Sequence, residues 1–299
     1  MGSIDLKGKR VLVTGGNGYL GRHLVTQLKK EDANVFVIDK GGEQANDQVF
    51  LFDITDKELV EAIVTLIQPD IVFHLAASLN RERNFDNYRE IHDVNLNGTF
   101  NLLETLKHVQ YENFIFLSSS EIYGGNEPPF HEGQIPDPAS PYSLTKVFAE
   151  NLIQTFSKIY QKKYTILRLF NFFGKDMSPK FFIPQMIQTL KDNKPFEMTE
   201  GEQKRDFLYL DDVINGLILV AKHDAQNETY NLCSGNAVSL KELVLEVKSN
   251  LNSQSEIVFG ALPYREHEVW NMVGDNSKIQ KTFGFEVKFD LRKGINEII

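Results

Sequence analysis

The sequence has little of what disulfide-bonded or membrane proteins need. Its 299 residues include a single cysteine, Cys233, which excludes an intrachain disulfide. The apolar run LILVA lies between Asn215 and Lys222, far short of the roughly 20 residues that span a bilayer. The first residues, MGSIDLKGKRVLV, lack the long apolar core of a secretory signal. We therefore expect a cytoplasmic protein that does not bind membranes.

Basic residues are also in short supply. The 32 lysines and arginines face 41 acidic residues, which leaves a formal net charge of -9. Nucleic acids and anionic membranes are bound through an excess of basic side chains, so neither is an expected partner. The seven histidines show no HExxH or paired spacing, and no metal site is predicted. His74, in IVFHLAA, is expected to be a hydrogen-bonded histidine of a sheet.

Short apolar runs alternate with amphipathic segments in the first half of the chain. RVLVTG, NVFVID, DIVFHLA, NFIFLSS and YTILRLF have the length and composition of buried strands. Helical patterns lie between them, over 19–30, 56–66, 94–107 and 142–160. This alternation predicts an α/β protein in which helices cover both faces of a parallel sheet, a doubly wound fold of the Rossmann type.

The pattern changes in the second half of the chain. Three prolines, Pro179, Pro184 and Pro195, and the run GEQKRDFLYLDDV interrupt the alternation. A later helix, SLKELVLEVKSNL, is expected to begin at Ser239, with Glu242 three residues on. We expect a smaller, partly interleaved C-terminal substrate domain.

A glycine-rich loop joins the first strand to the first helix. In VLVTGGNGYLGRHL, Gly15, Gly18 and Gly21 recur at intervals of three. Glycine permits a tight turn and the close approach of a pyrophosphate, which then lies at the positive end of the helix. The loop predicts a dinucleotide site that includes Tyr19 and Leu20. The alternative is a loop whose glycines provide only flexibility.

Asp39 ends the second predicted strand, 18 residues after Gly21. A carboxylate here hydrogen-bonds the ribose hydroxyls of an adenosine and repels a 2′-phosphate, which favours NAD as the cofactor. Lys40 follows directly, so use of NADP stays open, and the alternative for Asp39 is a solvated loop carboxylate. Further candidate contacts come from LFDITD, beside the adenine, and from HLAAS, beside the cofactor backbone: Asp53, Ile54, Leu75, Ala76 and Ala77.

Tyr142 and Lys146 lie one helical turn apart, directly after Pro141, so both side chains project from one face of a helix. A tyrosine acts as a base near neutral pH only where its phenolate is stabilised. A cation about 4 Å away contributes roughly 4 kcal/mol at an effective dielectric of 20, and Lys146 supplies one. A hydroxyl of FLSSSEIYGG would hold the substrate oxygen while Tyr142 takes its proton and a hydride leaves the carbon. The alternative is an ordinary surface pair.

Five segments together resemble the extended short-chain dehydrogenase/reductase family, in its NAD-dependent epimerase/dehydratase group that acts on nucleotide sugars. They are TGGNGYLG, FLSSSEIYG, PYSLTK, LRLFNFFG and RDFLYLDDV, and the resemblance covers essentially the whole chain. In that family the hydroxyl that partners the tyrosine corresponds to Ser119, with Ser118 and Ser120 as neighbours that could assist. Glu121 matches a catalytic glutamate of the family's dehydratases and decarboxylases, and its alternative is a loop carboxylate.

The resemblance also implies a substrate site. Asn171 in LFNFFG, Arg205 in KRDFLYLDD and Arg265 in PYREHEV match positions that contact the nucleotide diphosphate. Two arginines would give bidentate contacts to a pyrophosphate, whereas each alone would be an ordinary surface ion pair. Asn95 in HDVNLNGTF resembles a helix asparagine that orders the active-site lysine through water, and its alternative is a polar residue that caps or is exposed on that helix.

The same resemblance assigns roles to the two parts of the chain. Residues 1–171 with about 207–235 are expected to form the NAD-binding Rossmann domain, and 172–206 with 236–299 the nucleotide-sugar-binding domain. In relatives, the helices that correspond to those of Asn95 and Tyr142 pack across a two-fold axis as a four-helix bundle, which implies a homodimer.

Four functions are open at this point. The expected one is a 4-epimerase, which oxidises C4 of a nucleotide hexose with NAD and returns the hydride to the opposite face of a 4-keto intermediate. One alternative is a reductase of 4-keto-6-deoxy nucleotide sugars, suggested by FGALPYREHEV. Another is a dehydratase or decarboxylase that uses Glu121. The last is a protein that binds the dinucleotide without turnover; such proteins usually lack the tyrosine, the lysine or the serine.

Overall fold

The structure, a computed structural model, describes residues 4–42, 46–80, 82–266 and 268–299, and its first half alternates strands with helices. The strands are β1 (Arg10–Thr14), β2 (Asn34–Asp39), β3 (Val49–Leu51), β4 (Ile71–His74), β5 (Asn113–Ser119), β6 (Tyr164–Leu169), β7 (Asn171–Phe173), β8 (Phe196–Glu197), β9 (Lys204–Tyr209), β10 (Glu228–Leu232), β11 (Ala237–Ser239), β12 (Ile257–Val258) and β13 (Asn271–Met272). The helices are α1 (Tyr19–Lys30), α2 (Lys57–Ile67), α3 (Tyr88–His92), α4 (Gly98–Leu106), α5 (Pro141–Tyr160), α6 (Phe182–Lys191), α7 (Leu210–Ala221), α8 (Leu240–Asn250), α9 (Ser277–Phe283) and α10 (Leu291–Asn296). Within these described ranges, no helix is both long and apolar enough to cross a membrane.

Seven strands form one parallel sheet in the order β10-β6-β5-β4-β1-β2-β3. The direction of winding reverses between β1 and β4, where Thr14 and His74 are register partners. Ligands of open α/β sheets bind outside the carboxyl ends of the strands at such a reversal. The prediction of a doubly wound parallel sheet is confirmed. Strand β3 was not predicted, because three residues are too few to form a recognisable pattern.

Apolar side chains cover both faces of this sheet. One core joins the sheet to α1 and α7 and includes the fully buried Leu24 and Leu217. The other joins it to α2, α4 and α5 and includes Val64 and Ile153. Burial on both faces explains why the strands read as continuous apolar runs and not as alternating ones.

Helix α5 begins at a point that its own sequence determines. Ser140 and Ser143 each accept the other's backbone N–H through their hydroxyls, which forms a capping box. Pro141 takes the first helical position, where no backbone donor is required. This start sets the direction in which the side chains of the first two turns project. The capping box predicted for Ser239 and Glu242 at the start of α8 is confirmed.

The second half of the chain adds a smaller sheet and a third core. Strands β11, β9 and β13 are hydrogen-bonded in that order, and β7 also pairs with β9. The core includes Ile183, Met198, Val244 and Ile295, which lie on or beside α6, β8, α8 and α10. The chain returns from this part to the central sheet at β10, so the two parts are interleaved. The domain limits given above remain a prediction.

The helix predicted over 94–107 has a different start. Helix α4 begins only at Gly98, and Asp93–Asn97 form a π-helical turn that follows α3. In that turn the Asn95 carbonyl accepts the hydroxyl of Thr99 at 2.6 Å. A π-helical turn inserts one extra residue into the series of backbone hydrogen bonds of a helix, and a search for apolar residues at a spacing of 3.6 does not detect it. Such turns are frequent at functional sites.

A buried ion pair joins the strands of the sheet to α5. Arg168 on β6 donates to both carboxylate oxygens of Glu150 at 3.1 and 2.8 Å, and only 6% and 5% of the two side chains are exposed. Ser118 of β5 donates its hydroxyl to the same carboxylate. The Tyr123 hydroxyl accepts from Arg168 at 3.0 Å and donates to Asn231 of β10 at 2.6 Å. These contacts compensate the burial of both charges.

Arg168→Met is expected to lower the free energy of unfolding by about 3–5 kcal/mol, because it leaves the Glu150 carboxylate buried without a cation. Denaturant unfolding measures this change. The control is Arg292→Met, which breaks the exposed ion pair with Glu246 and should leave stability close to wild type. Equal effects of the two substitutions would contradict the role given to burial.

Candidate active site

A cavity of about 810 Å³ opens at the carboxyl ends of the central strands and extends into the smaller part of the chain. Most of the residues predicted to form the site line it: Gly15, Gly18, Tyr19, Leu20, Gly21, Asp39, Lys40, Asp53, Ile54, Leu75, Ala76, Ala77, Ser119, Ser120, Glu121, Tyr142, Lys146, Asn171, Arg205 and Arg265. Asn95 is the exception, because it is buried behind the cavity wall. Segments far apart in sequence therefore meet around one space.

The glycine loop passes very close to the segment after β4. Gly15 has φ +74°, and a Cβ there would lie 2.8 Å from the backbone nitrogen of Ala76. A Cβ on Gly21 would collide with the Gly15 carbonyl oxygen. Neither position tolerates a side chain, so the loop keeps its backbone open to the cavity at the start of α1. This is the geometry that a pyrophosphate requires.

Asp39 lies at the end of β2 with its carboxylate held in place by backbone donors. The Asn17 N–H donates to one oxygen at 2.9 Å, and the Gly41 N–H donates to the other at 3.2 Å. Each oxygen of an ionised carboxylate can accept a further hydrogen bond. The carboxylate is thus oriented to accept the two hydroxyls of a ribose, and it fits NAD better than NADP.

Tyr142 and Lys146 project from the first two turns of α5 toward the end of β5. The Lys146 ammonium donates to the Leu117 carbonyl at 2.9 Å. It lies 4.6 Å from the centroid of the Phe116 ring and 5.9 Å from that of the Tyr142 ring. Both side chains are buried, with 3% of Lys146 and 4% of Tyr142 exposed. Lys146 is thus a fixed cation beside the Tyr142 ring.

The three serines at the end of β5, Ser118, Ser119 and Ser120, differ in their surroundings. Ser119 accepts the Glu121 N–H at 3.2 Å, which leaves its own hydroxyl proton to be donated into the cavity. Ser118 directs its hydroxyl to Glu150, behind the site. Ser120 is 3.5 Å from the Met272 sulfur. Of the three, Ser119 has the geometry of a donor to a substrate oxygen, whereas Ser118 is a support of the strand.

Arginines gather at the far end of the cavity. Arg205 is ion-paired with Glu268 and donates to the Val269 carbonyl at 2.7 Å. Burial lowers the pKa of Arg205, and the neighbouring charges of Arg265 and Arg83 lower it further, while Glu268 opposes the shift. Arg205 and Arg265 both line this end of the cavity, whereas Arg83 donates to the carbonyl of Glu266, the residue after Arg265. The charge of Arg83 beside this end was not expected from the sequence, since its segment, NRERNF, matches no motif.

The sequence matches the profile of the NAD dependent epimerase/dehydratase family over residues 11–233. The chain belongs to this family.

Members of the epimerase/dehydratase family are similar to the chain over nearly its whole length. A putative UDP-glucose 4-epimerase of Methanocaldococcus jannaschii is 30% identical, over 97% of this chain and 97% of the relative. The solved structure of the UDP-glucose 4-epimerase of Thermotoga maritima with UDP-glucose has a TM-score of 0.90 at 28% identity, and covers 96% of each chain. The UDP-glucose 4-epimerase of Thermus thermophilus, solved in complex with NAD, has a TM-score of 0.87 at 25% identity, again over 96% of each chain.

Several sequence-based predictions are thereby confirmed: the family, an NAD-dependent enzyme of the nucleotide-sugar epimerase/dehydratase type, and NAD as its cofactor. The residues fit that cofactor. Gly15 and Gly21 have no room for a Cβ against the backbone of Ala76 and of Gly15 itself, so the loop turns tightly at the start of α1, and Asp39 presents an oriented carboxylate where the ribose would lie. The individual roles of the site residues remain predictions.

Other residues of this epimerase/dehydratase-family site were not predicted from the sequence. Phe172 and Lys175 are two of them: the hydroxyl of Tyr19, itself a predicted contact, donates to the Lys175 carbonyl at 2.7 Å, and the Tyr19 ring stacks on Phe172. The segment after β7 thus closes over the loop. Apolar residues line the far end of the cavity: Phe196, Met198, Phe207, Leu240 and Leu262. Only the fold brings these segments together.

Gly15→Ala is expected to weaken NAD binding at least about tenfold. Alanine at positive φ is strained by roughly 1–2 kcal/mol, and its Cβ would displace the Ala76 backbone. Calorimetric titration of the cofactor-free protein with NAD measures the change. Gly8→Ala is the matched control, because Gly8 also has positive φ (+71°), nothing lies within 4 Å of a Cβ there, and the residue does not line the cavity. Wild-type affinity in Gly15→Ala would contradict the assignment of this loop to the cofactor.

Proposed function

We propose that the protein is a nucleotide-sugar 4-epimerase. The observation that carries the proposal is that one cavity contains Tyr142 and Ser119 between the glycine loop and the arginines. A nucleotide sugar whose diphosphate lies at Arg205 and Arg265 would extend its sugar toward this pair. The 4-epimerase relatives, with coverage of 96% or 97% of each chain, add support for this reaction among those of the family.

In the first step of the proposed chemistry, the 4-hydroxyl oxygen loses a proton and C4 loses a hydride. Tyr142, ionised beside Lys146, removes the proton of the 4-hydroxyl, and Ser119 donates a hydrogen bond to the same oxygen. The C4–H electron pair leaves as hydride, and the C4–O bond becomes a ketone. NAD supplies the acceptor of that hydride and its later donor. Tyr142 then returns the proton when the ketone is reduced on its opposite face, so the product has the mass of the substrate.

The nucleotide end of the substrate would be held mainly by charge. Arg205 and Arg265 would neutralise the diphosphate within a chain whose formal charge is -9. Planar guanidinium groups form paired hydrogen bonds with phosphate oxygens. Asn171 lines the same cavity and offers an amide to the substrate.

A dehydratase or decarboxylase remains the second candidate because of Glu121. This carboxylate lies in the 3₁₀ turn directly after β5, lines the cavity and is two residues from Ser119. A base at this position could remove a proton from a 4-keto sugar, which the 4-epimerase reaction does not require.

The first experiment is product analysis by chromatography and mass spectrometry, after incubation of the protein and NAD with UDP-, dTDP-, GDP- and CDP-sugars. A new product of unchanged mass is expected. Loss of water or carbon dioxide would instead support the role of Glu121. No reaction of any hexose would contradict the epimerase, and would leave the 4-keto-6-deoxy reductase, tested with dehydratase-generated substrates, and the non-catalytic binder.

On the substrate so identified, Tyr142→Phe should lower kcat by orders of magnitude, and Ser119→Ala by about 100-fold, the effect of one lost oxyanion donor. Initial rates at saturating substrate measure both. Tyr160→Phe is the control, since this tyrosine lies on the same helix and is 39% exposed. Wild-type turnover by Tyr142→Phe would refute the mechanism.

A homodimer and a cytoplasmic location are part of the proposal. Helices α4 and α5 present Phe100 and Phe148 to the surface, with 46% and 38% of these side chains exposed. A second copy of the chain would cover them, as the family resemblance implies.

Sedimentation at micromolar concentration should show a dimer, and Phe148→Glu should shift it toward monomer by placing a charge in the apolar contact. Ile135→Glu is the control, because Ile135 is 84% exposed and lies outside these helices. A monomeric wild-type protein would contradict the dimer.

A further inference from the structure

A histidine is buried at the centre of the sheet, where the winding direction reverses. His74 is the last residue of β4 and is fully buried. Its Nδ1 lies 2.7 Å from the Thr14 hydroxyl, and its Nε2 lies 2.9 Å from the Thr99 hydroxyl. The mechanism above does not use this side chain, yet both of its nitrogens have partners.

The surrounding groups determine where each proton lies. The Thr99 hydroxyl donates to the Asn95 carbonyl, which can only accept, so Nε2 of His74 must donate to Thr99. In a neutral ring Nδ1 then accepts from Thr14. The Thr14 hydroxyl in turn accepts the Ala76 N–H at 3.3 Å. The chain of hydrogen bonds has one direction, from the backbone beside the glycine loop to the π-helical turn.

Two routes lead from this chain to the catalytic helix. By hydrogen bonds, the Asn95 carboxamide donates to the Thr145 hydroxyl at 3.0 Å, and Thr145 donates to the Tyr142 carbonyl at 2.8 Å. The same carboxamide accepts the Ser78 N–H at 2.7 Å. The first route therefore passes through Thr145, the residue next to Lys146, and ends at the Tyr142 carbonyl.

The second route runs through an aromatic ring. The His74 and Phe116 rings are 5.6 Å apart between centroids, and the Lys146 ammonium lies 4.6 Å from the same Phe116 centroid. A displacement of the His74 ring would therefore displace the Phe116 ring, against which the Lys146 ammonium lies.

We propose that His74 is a positioning residue that, through Thr99 and Phe116, holds Lys146 in place beside Tyr142. The proposal rests on the catalytic roles given above to Lys146 and Tyr142. Thr14 and Thr99 select the neutral Nε2–H form of the ring, and that form alone satisfies every group in the chain of hydrogen bonds.

The electrostatics agree with a neutral ring. Burial lowers the pKa of His74 to about 3, and the charge of Lys146 on α5 contributes to the shift. Protonation would place a second cation near Lys146 and leave the Thr14 hydroxyl proton without an acceptor. The ring should therefore stay neutral throughout the pH range in which the enzyme works.

Thr99→Val and Thr99→Ser test the proposal as a matched pair. Valine keeps the shape of the side chain and removes the hydroxyl, whereas serine keeps the hydroxyl and removes a methyl group. We expect Thr99→Val to lower kcat about tenfold or more with KM within about threefold. The acid limb of its kcat profile should move to higher pH, because the phenolate of Tyr142 loses part of its support. Thr99→Ser should rescue both properties; equal losses in the two variants would indicate packing alone and overturn the proposal.

Two measurements do not depend on turnover and so separate failure of this proposal from failure of the proposed function. With lysine labelled at its ε-carbon, the NMR signal of Lys146 should carry a ring-current shift from Phe116 that falls in Thr99→Val and is kept in Thr99→Ser. In the wild-type protein, ¹⁵N NMR of the histidines should find His74 as the Nε2–H form without titration between pH 8 and about 4. An Nδ1–H form, a midpoint near 6.5, or an unmoved Lys146 signal in Thr99→Val would each refute the role of His74.

Discussion

The site is organised by the burial of one ammonium group. Lys146 is 3% exposed, and a cation that leaves water needs fixed oxygen atoms and polarisable surfaces close by. The Leu117 carbonyl and the face of Phe116 provide them. Both belong to β5, so the position of the lysine depends on how that strand passes the first turns of α5. The serines that follow Leu117 are placed by the same contact, which couples the cation to the hydroxyl across the cavity.

Charge is distributed very unevenly around the cavity. The chain as a whole is acidic, yet Arg205 and Arg265 both line the cavity at one end, while Asp39 lines it at the other. The diphosphate of the proposed substrate would find donors at the arginines, and that of NAD at the start of α1, with the Asp39 carboxylate placed for the ribose of NAD.

The parts of the site that could be predicted from sequence are those carried by short, continuous segments. The glycine loop, Asp39 and the pair Tyr142 and Lys146 follow from strand, loop and helix patterns within about 30 residues. His74 was expected to be hydrogen-bonded within the sheet, but its partners Thr14 and Thr99 could not be found in this way, because they become its neighbours only in the folded chain. The π-helical turn around Asn95 was missed for a related reason, since its extra residue is stabilised by Ser78 and Thr145 from elsewhere in the chain.

The buried pair of Arg168 and Glu150 makes a residue outside the cavity sensitive to substitution. It connects Ser118, one residue before the proposed hydroxyl donor, to Tyr123 and then to Asn231 near the far edge of the sheet. Functional scans of the chain would therefore record sensitivity at Asn231, although that residue does not line the cavity. A map of tolerated substitutions would therefore show low tolerance along this buried series of polar residues. Substitutions in the edge strand β10 would alter the position of the serines at the end of β5 without replacing them.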